Sequence, residues 1–133
     1  MNPKAACILI LNSCGQVLAV SRRGEFTQFG LPGGKVDGDE TLVQAAIREL
    51  YEETGARVSS DDVEFLYSAG DGHGYDVTTF VLTHDLNNEG PLQHEPDTLV
   101  EWVDPRVLIN GPFGSYNAQV FFAEIMRMSA GYE

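Results

Sequence analysis

Residues 34–56 read GKVDGDETLVQAAIRELYEETGA, and this stretch decides the fold. A Pro-Gly-Gly turn (Pro32, Gly33, Gly34) leads into acidic Asp37, Asp39 and Glu40. No Gly or Pro then interrupts Thr41 to Thr54, and Gly55 follows. A polar start and a glycine stop mark the two ends of a helix. The spacing therefore predicts one helix over 41–54, with Thr41 or Asp39 as N-cap. Asp39 and Glu40 sit where the helix dipole favours negative charge.

A helix turns by about 100° per residue, which sorts the side chains into faces. Val43, Ile47, Leu50 and Thr54 form an inward stripe with Tyr51 at its edge. Glu49, Glu52 and Glu53 gather on the far side at i, i+3 and i+4. Neighbours at that spacing stand about 5–6 Å apart at Cβ, and like charges there repel by a few tenths of a kcal/mol per pair. One reading is a solvated acidic face, with Arg48 as an ordinary surface partner. The other is a patch that holds a positive ion. Oxygen donors with little His or Cys nearby suit a hard cation, Mg²⁺ or Mn²⁺, rather than zinc.

The wider pattern weighs between these readings. Gly34, five residues, Glu40, seven residues, then Arg48-Glu49-Leu50-x-Glu52-Glu53-x-Gly55 resembles the Nudix box, G-x5-E-x7-R-E-U-x-E-E-x-G-U, with U a bulky aliphatic. Every fixed position matches and Leu50 fills the first U, whereas Ala56 at the last U is smaller than the usual Ile, Leu or Val. That departure touches packing behind the helix and not the carboxylates. The resemblance implies an α+β fold, a Nudix-type α/β/α sandwich with a mixed central sheet. It also implies hydrolysis of a nucleoside diphosphate linked to another moiety. In that frame Glu49, Glu52 and Glu53 hold Mg²⁺ or Mn²⁺, joined by the Gly33 carbonyl. One of them is available as general base, Arg48 orients a glutamate, and Glu40 fastens the loop or contributes through water.

Eight basic against twenty acidic residues give a net charge of −12. No basic surface is available to neutralise a phosphate polymer, which disfavours DNA, RNA and anionic membranes as partners. A small anionic nucleotide is compatible once metal ions locally reverse the field. The length of 133 residues suits a single domain over 1–133, acting as a monomer or homodimer. With no signal-peptide pattern, Cys7 and Cys14 are expected to be reduced thiols in the cytoplasm. No apolar run reaches the roughly eighteen residues of a membrane helix.

Along the chain, 5–11 (AACILIL) reads as a buried strand and 16–21 (QVLAVS) as its hairpin partner, across the turn Asn12-Ser13-Cys14-Gly15. Arg22, Arg23 and Gly24 break the pattern. Arg23 is either a surface ion-pair partner or a grip on substrate phosphate, which guanidinium suits. Phe26 and Phe29 precede Gly30-Leu31-Pro32-Gly33-Gly34; Phe29 is a core residue or, at a position where family members often carry Trp, a substrate contact. Residues 63–69 and 76–83 read as strands joined by the glycine-rich loop 70–75. That loop offers His73 and Tyr75 as contacts to base or ribose. Residues 86–98, with Pro91 and Pro96, form a polar loop before a strand at 99–103. In resembling enzymes a carboxylate on such a loop reaches the metals or acts as base, and Glu95 is the candidate here. Asp104-Pro105 starts a short helix to Leu108. A loop at 111–116 precedes a closing helix over 118–128, with Val120, Phe121, Ile125 and Met128 inward. Asn117 caps or precedes that helix, or contacts a base edge.

Within the family pattern, the expected activity is MutT-like: cleavage of a nucleoside triphosphate to monophosphate and pyrophosphate. The compact size favours it, as does the absence of a proline shortly after the box. The alternatives are a hydrolase of ADP-ribose, a nucleotide sugar or a dinucleoside polyphosphate, or a non-catalytic nucleotide-binding module. The intact carboxylate set argues against the module, since binding alone has no need of so much repulsion.

Overall fold

The computed structural model describes residues 2–86 and 95–130. Its strands are β1 (Lys4–Leu9), β2 (Val17–Arg22), β3 (Glu25–Gly30), β4 (Gly33–Lys35), β5 (Val63–Gly70), β6 (Asp76–Leu82) and β7 (Val100–Val103). Its helices are α1 (Leu42–Thr54), α2 (Pro105–Ile109) and α3 (Gly114–Ala130). One sheet runs β4-β1-β6-β5 and the other β3-β2-β7. Only β1 and β6 pair in parallel; the other pairs are antiparallel, so the first sheet is mixed. The fold is α+β, with sheet between helices.

Strict alternation along β1 explains the layering. Ala6, Ile8 and Ile10 enter one core with Leu18, Ala45, Ala46 and Leu50, beneath α1. Leu9 enters a second core with Val17, Ala19, Phe29, Val81, Leu108, Tyr116 and Val120, beneath α2 and α3. A strand buried on both faces must read as a continuous apolar run, because successive side chains point to opposite sides.

Helix α1 ends as its sequence dictates. Thr41 Oγ1 accepts from Gln44 N at 3.2 Å while Gln44 Oε1 accepts from Thr41 N at 2.9 Å. This reciprocal capping box satisfies two donors that the helix leaves open, and an N-cap is worth about 1 kcal/mol. Gly55 closes the other end at φ 79°, its N–H donating to Tyr51 O.

Several sequence expectations are corrected here. The 16–21 strand is not the sheet partner of β1: apart from the Leu11–Val17 bridge at the turn, β2 leaves for the second sheet and pairs with β3 and β7. Strands β3 and β4 form where the sequence offered only a turn and two phenylalanines. On α1 the buried residues are Ala45, Ala46, Leu50 and Thr54, while Val43 and Ile47 are only partly covered. Helix α3 begins four residues earlier than expected, and its buried side is Tyr116, Asn117, Val120 and Glu124. Ile125 and Met128 face outward at 60% and 48% exposure. Glu124 tolerates its inward position because Arg127 donates to both its oxygens, at 2.6 and 3.1 Å. Asn117 therefore lies inside the first turn of α3 and is not its cap; its own N–H donates to Phe113 O.

Within the 86–98 loop, residues 87–94, including Pro91, lie outside the described residues. Both cysteines are free, Cys7 buried and Cys14 exposed. Among the described residues no helix is long and apolar enough to cross a membrane.

Candidate active site

The carboxylates on and just before α1 divide into two sets. Glu40, Glu49 and Glu52 surround a cation already present in the chain, Arg48. Its Nε donates to Glu40 Oε2 at 2.7 Å, and Nη2 donates to Glu40 Oε1 and to Lys35 O, each at 3.0 Å. Its Nη1 donates to Glu49 Oε1 at 3.0 Å and Glu52 Oε1 at 2.6 Å, while Asp37 pairs with Nη2 at 3.2 Å. Glu40 also accepts from Asp37 N at 2.9 Å, so it fastens the loop before the helix. The Arg48 hydrogen bond, then that backbone N–H, holds the Glu40 carboxyl below its ordinary range.

Glu53 stands apart. It accepts from Gly33 N at 2.7 Å, and burial raises its pKa from 4.5 to about 8. The Gly33 bond opposes that rise, and the charges of Glu49, Glu95 and Glu52 add to it. Glu49 shifts upward as well, by burial first, with Arg48 opposing. Glu49 and Glu53 thus do not lie opposite the core as the sequence suggested, whereas Glu52 is exposed, and the charges of Glu49 and Glu52 still reach Glu53. Glu49 and Glu53 share the covered side of α1 with Ala46 and Leu50 and press on β4. At Gly34 an added Cβ would stand 2.6–2.8 Å from the Glu49 carboxyl, so glycine is what lets the strand pass this close.

Two cavities flank the strand end at Gly30–Gly33, and Gly30, Leu31, Gly33 and Phe113 border both. The polar one, about 330 Å³, is lined also by Arg22, Arg23, Phe29, Glu53 and Glu95. Arg23 Nη2 donates to Glu95 Oε2 at 3.1 Å, with side chains 61% and 33% exposed. The backbone places this pair: Gly24 N donates to Asp97 O at 2.8 Å, and Ser21 Oγ accepts from Leu99 N at 2.8 Å. Phe29 is 8% exposed, a core residue whose edge borders this cavity.

The second cavity, about 280 Å³, is walled by Cys7, Tyr75, Val77, Phe113, Tyr116 and Asn117, with Lys35 and Asp71 at its polar margin. Lys35 Nζ lies 5.8 Å from the Tyr75 ring centre. Asn117 Nδ2 donates to Leu108 O at 3.4 Å. Tyr116 Oη meets Thr79 Oγ1 at 2.7 Å, and Thr79 Oγ1 meets the Cys7 thiol at 3.0 Å. Burial pushes that thiol up to about 12, which leaves it protonated and inert.

The structure brings Gly33, Phe29, Arg23, Glu53 and Glu95 to one cavity and Tyr75 and Asn117 to its neighbour. Glu49 and Glu52 stay on the Arg48 network. Sequence reading missed Phe113 and Tyr116, which sit in and beside a connection that carries no periodic signal. Lys35 was also missed, although its place directly after the paired glycines could have marked it.

Whether a divalent cation suits this site is a question of donor chemistry. Among the described residues no three His, Cys, Asp or Glu side chains are gathered into a ready cage. Arg48 holds Glu49 and Glu52 in its own field. Yet Glu49, Glu52, Glu53 and Glu95 are near enough that each of the other three raises the pKa of Glu53. An all-oxygen set with that mutual repulsion fits a hard cation.

Comparison with known proteins agrees with this geometry. A family model for the NUDIX domain matches residues 1–122. A putative 8-oxo-dGTP diphosphatase of Bacillus subtilis is 42% identical over 55 residues, 41% of this chain and 36% of that protein. An RNA pyrophosphohydrolase of Brucella anthropi is 30% identical over 129 residues, covering 88% of this chain and 72% of its own. Among solved structures, a MutT from a study of Aliivibrio salmonicida and Vibrio cholerae superposes with TM-score 0.65 at 25% identity, covering 90% of this chain and 97% of the other. A Caenorhabditis elegans Ap4A hydrolase shares the fold, with TM-score 0.63 at 24% identity over 93% and 98% of the two chains.

Proposed function

The chain belongs to the Nudix family of hydrolases, and from that premise we propose that it cleaves a nucleoside triphosphate to the monophosphate and pyrophosphate with the help of Mg²⁺ or Mn²⁺. One observation carries this reading. The half-buried Glu53 carboxyl and the Arg23–Glu95 pair share a cavity that abuts, across Gly33, a cavity walled by aromatic rings and one amide. Charge for a phosphate chain and flat apolar surface for a heterocycle thus lie side by side.

Glu49, Glu52 and Glu53 would hold the cation with the Gly33 carbonyl, and Arg48 would orient Glu49 and Glu52 through its forked donors. When bound, such an ion screens the phosphate charges and lowers the pKa of an attacking water. Arg23 would grip a phosphate oxygen. Glu95, or the raised Glu53, would take the proton of the water as its oxygen bonds to phosphorus. The bond from that phosphorus to the bridging oxygen then breaks, and the monophosphate and pyrophosphate part. Tyr75 would stack on or flank the base or ribose, and Asn117 would meet the base edge.

A second reading, action on RNA, draws support from the Brucella relative. The net charge of −12 weighs against it, since polymer phosphates need basic surface. A panel with Mg²⁺ separates the readings: nucleoside triphosphates including 8-oxo-dGTP, ADP-ribose, a nucleotide sugar, a dinucleoside tetraphosphate and 5′-triphosphorylated RNA, with products resolved by chromatography. Pyrophosphate and monophosphate from a free triphosphate support the proposal. Turnover confined to any other member of the panel removes it, and nucleotide binding with no turnover at all leaves only a binding module.

A further inference from the structure

The β5–β6 connection, residues 70–75, is a strap bonded to itself. Asp71 Oδ1 accepts from His73 N at 2.7 Å and Tyr75 N at 3.1 Å, and Asp71 N donates to Tyr75 O at 3.0 Å. Gly72 and Gly74 turn it at φ 81° and 97°, a region that L side chains resist. Both ends of the strap, Asp71 and Tyr75, line the aromatic cavity, while His73 does not.

His73 reaches across instead. Its Nε2 lies 3.1 Å from Pro112 O, and its ring stands edge-on to Phe113 with centroids 5.0 Å apart at 78°. Edge-to-face contact of this kind adds to a hydrogen bond by fixing the ring plane. The carbonyl can only accept, so Nε2 carries the proton, and both the neutral tautomer and the imidazolium supply it. Phe113 and the α3 residues Tyr116 and Asn117 form the other side of the same cavity. One imidazole therefore ties the two walls of the cavity together from outside it.

We infer that His73 is a positioning residue for substrate selection: by fastening the 70–75 strap to Pro112 and Phe113 it fixes the separation of the cavity walls, and with it the size of ring system the cavity admits. This rests on the reading that the cavity receives the nucleobase. Selection by a rigid pocket requires that the pocket resist adapting to the wrong ring, and a loop free at both sides cannot do that. The strap carries one wall, and through this side chain it reaches Pro112 and Phe113 at the other.

The test compares the unaltered protein with His73→Ala and His73→Gln, which keeps an amide N–H able to reach Pro112 O. Three readouts are taken: amide exchange over 71–75, affinities for GMP and CMP in Mg²⁺ buffer by calorimetry, and KM and kcat for the matching triphosphates. In His73→Ala, exchange is expected to quicken about tenfold in the strap alone. The ratio of the two affinities found in the unaltered protein is expected to move about tenfold toward equality, with KM rising and kcat changing less than about twofold. His73→Gln is expected to recover part of each. A His73→Ala protein that keeps that ratio, or in which kcat falls as KM rises, overturns the inference alone. An unaltered protein that binds neither monophosphate and hydrolyses neither triphosphate overturns the proposed function first and this inference with it.

Discussion

The two cavities beside Gly33 are built by opposite means. The polar one gathers charges from three remote places: Glu53 from the last turn of α1, Arg23 from the β2–β3 turn, and Glu95 from the approach to β7. Backbone hydrogen bonds position these groups, and their side chains partly neutralise one another. The aromatic one is made by packing: Tyr116 is buried among core residues, Tyr67 lies tilted against it at 5.4 Å, and Phe113 leans on the His73 clasp. Electrostatic groups there are few. On the proposed function, the contrast assigns reaction and recognition to separate cavities. Changes to the carboxylates on the charged side should act on turnover, and changes on the aromatic side on affinity.

The sharpest way to break that separation is Glu53→Gln. The amide keeps an oxygen for Gly33 N but no charge, so kcat is expected to fall at least about a thousandfold with the fold intact. Steady-state kinetics beside circular dichroism checks it, and near-normal turnover would remove Glu53 from the chemistry. Next comes Arg48→Ala, which strips the shared partner from Glu40, Glu49 and Glu52. We expect kcat/KM to fall about a hundredfold. The melting temperature should also drop, because three carboxylates are left facing one another.

On the aromatic side, Tyr75→Ala is expected to raise KM about tenfold with kcat nearly unchanged, which is the mark of lost uniform binding. A comparable loss in kcat would merge the two cavities into one functional unit. The pH dependence of stability sharpens the contrast further. Glu53 has a folded pKa of about 8 against an ordinary 4.5, so the folded protein holds its proton more tightly than the unfolded chain does. That contribution is present in full at acid pH and is lost as pH climbs from about 4.5 through 8. Denaturant titrations of ion-free protein at about pH 5, 7 and 9 should show stability falling, and Glu53→Gln should flatten the fall. Mg²⁺ should restore stability most at the alkaline end, where the carboxylate needs a counter-charge. The smallest effect belongs to Arg23→Ala: its exposed pair with Glu95 contributes under about 1 kcal/mol, so thermal stability should hardly move. Triphosphate KM should rise several-fold, and an unchanged KM would return Arg23 to a surface role.

Helix α1 was legible to within a residue or two because its signals are local: a polar, acidic start over 39–41 and a glycine with nothing helical after it; the Gln44 bond to Thr41 chose the cap. Strands β1, β2, β5, β6 and β7 showed through apolar or alternating runs. The pairing of β2 did not, since a hairpin turn at 12–15 is compatible with the second strand turning away to another sheet. Strands β3 and β4 carry too little apolar sequence to announce themselves; hydrogen bonds to β2 and β1 create them. In α3 the sequence suggested one inward stripe through Val120, Phe121, Ile125 and Met128, of which Val120 is fully buried and Ile125 and Met128 are exposed. Only docking on the sheet chose the buried side.

By itself the sequence determined the family, helix α1 and the acidic residues at fixed spacing along it, because helix caps and periodicity depend on neighbours within a few positions. The tertiary structure decided that Arg48 claims Glu40, Glu49 and Glu52 and that Glu53 bonds to Gly33 N, half-buried. It also decided that Arg23 meets Glu95 and that His73 clasps Pro112. Those contacts join residues far apart in the chain or turn side chains toward one face of a helix. Chain closure and packing set them, and no local pattern records either.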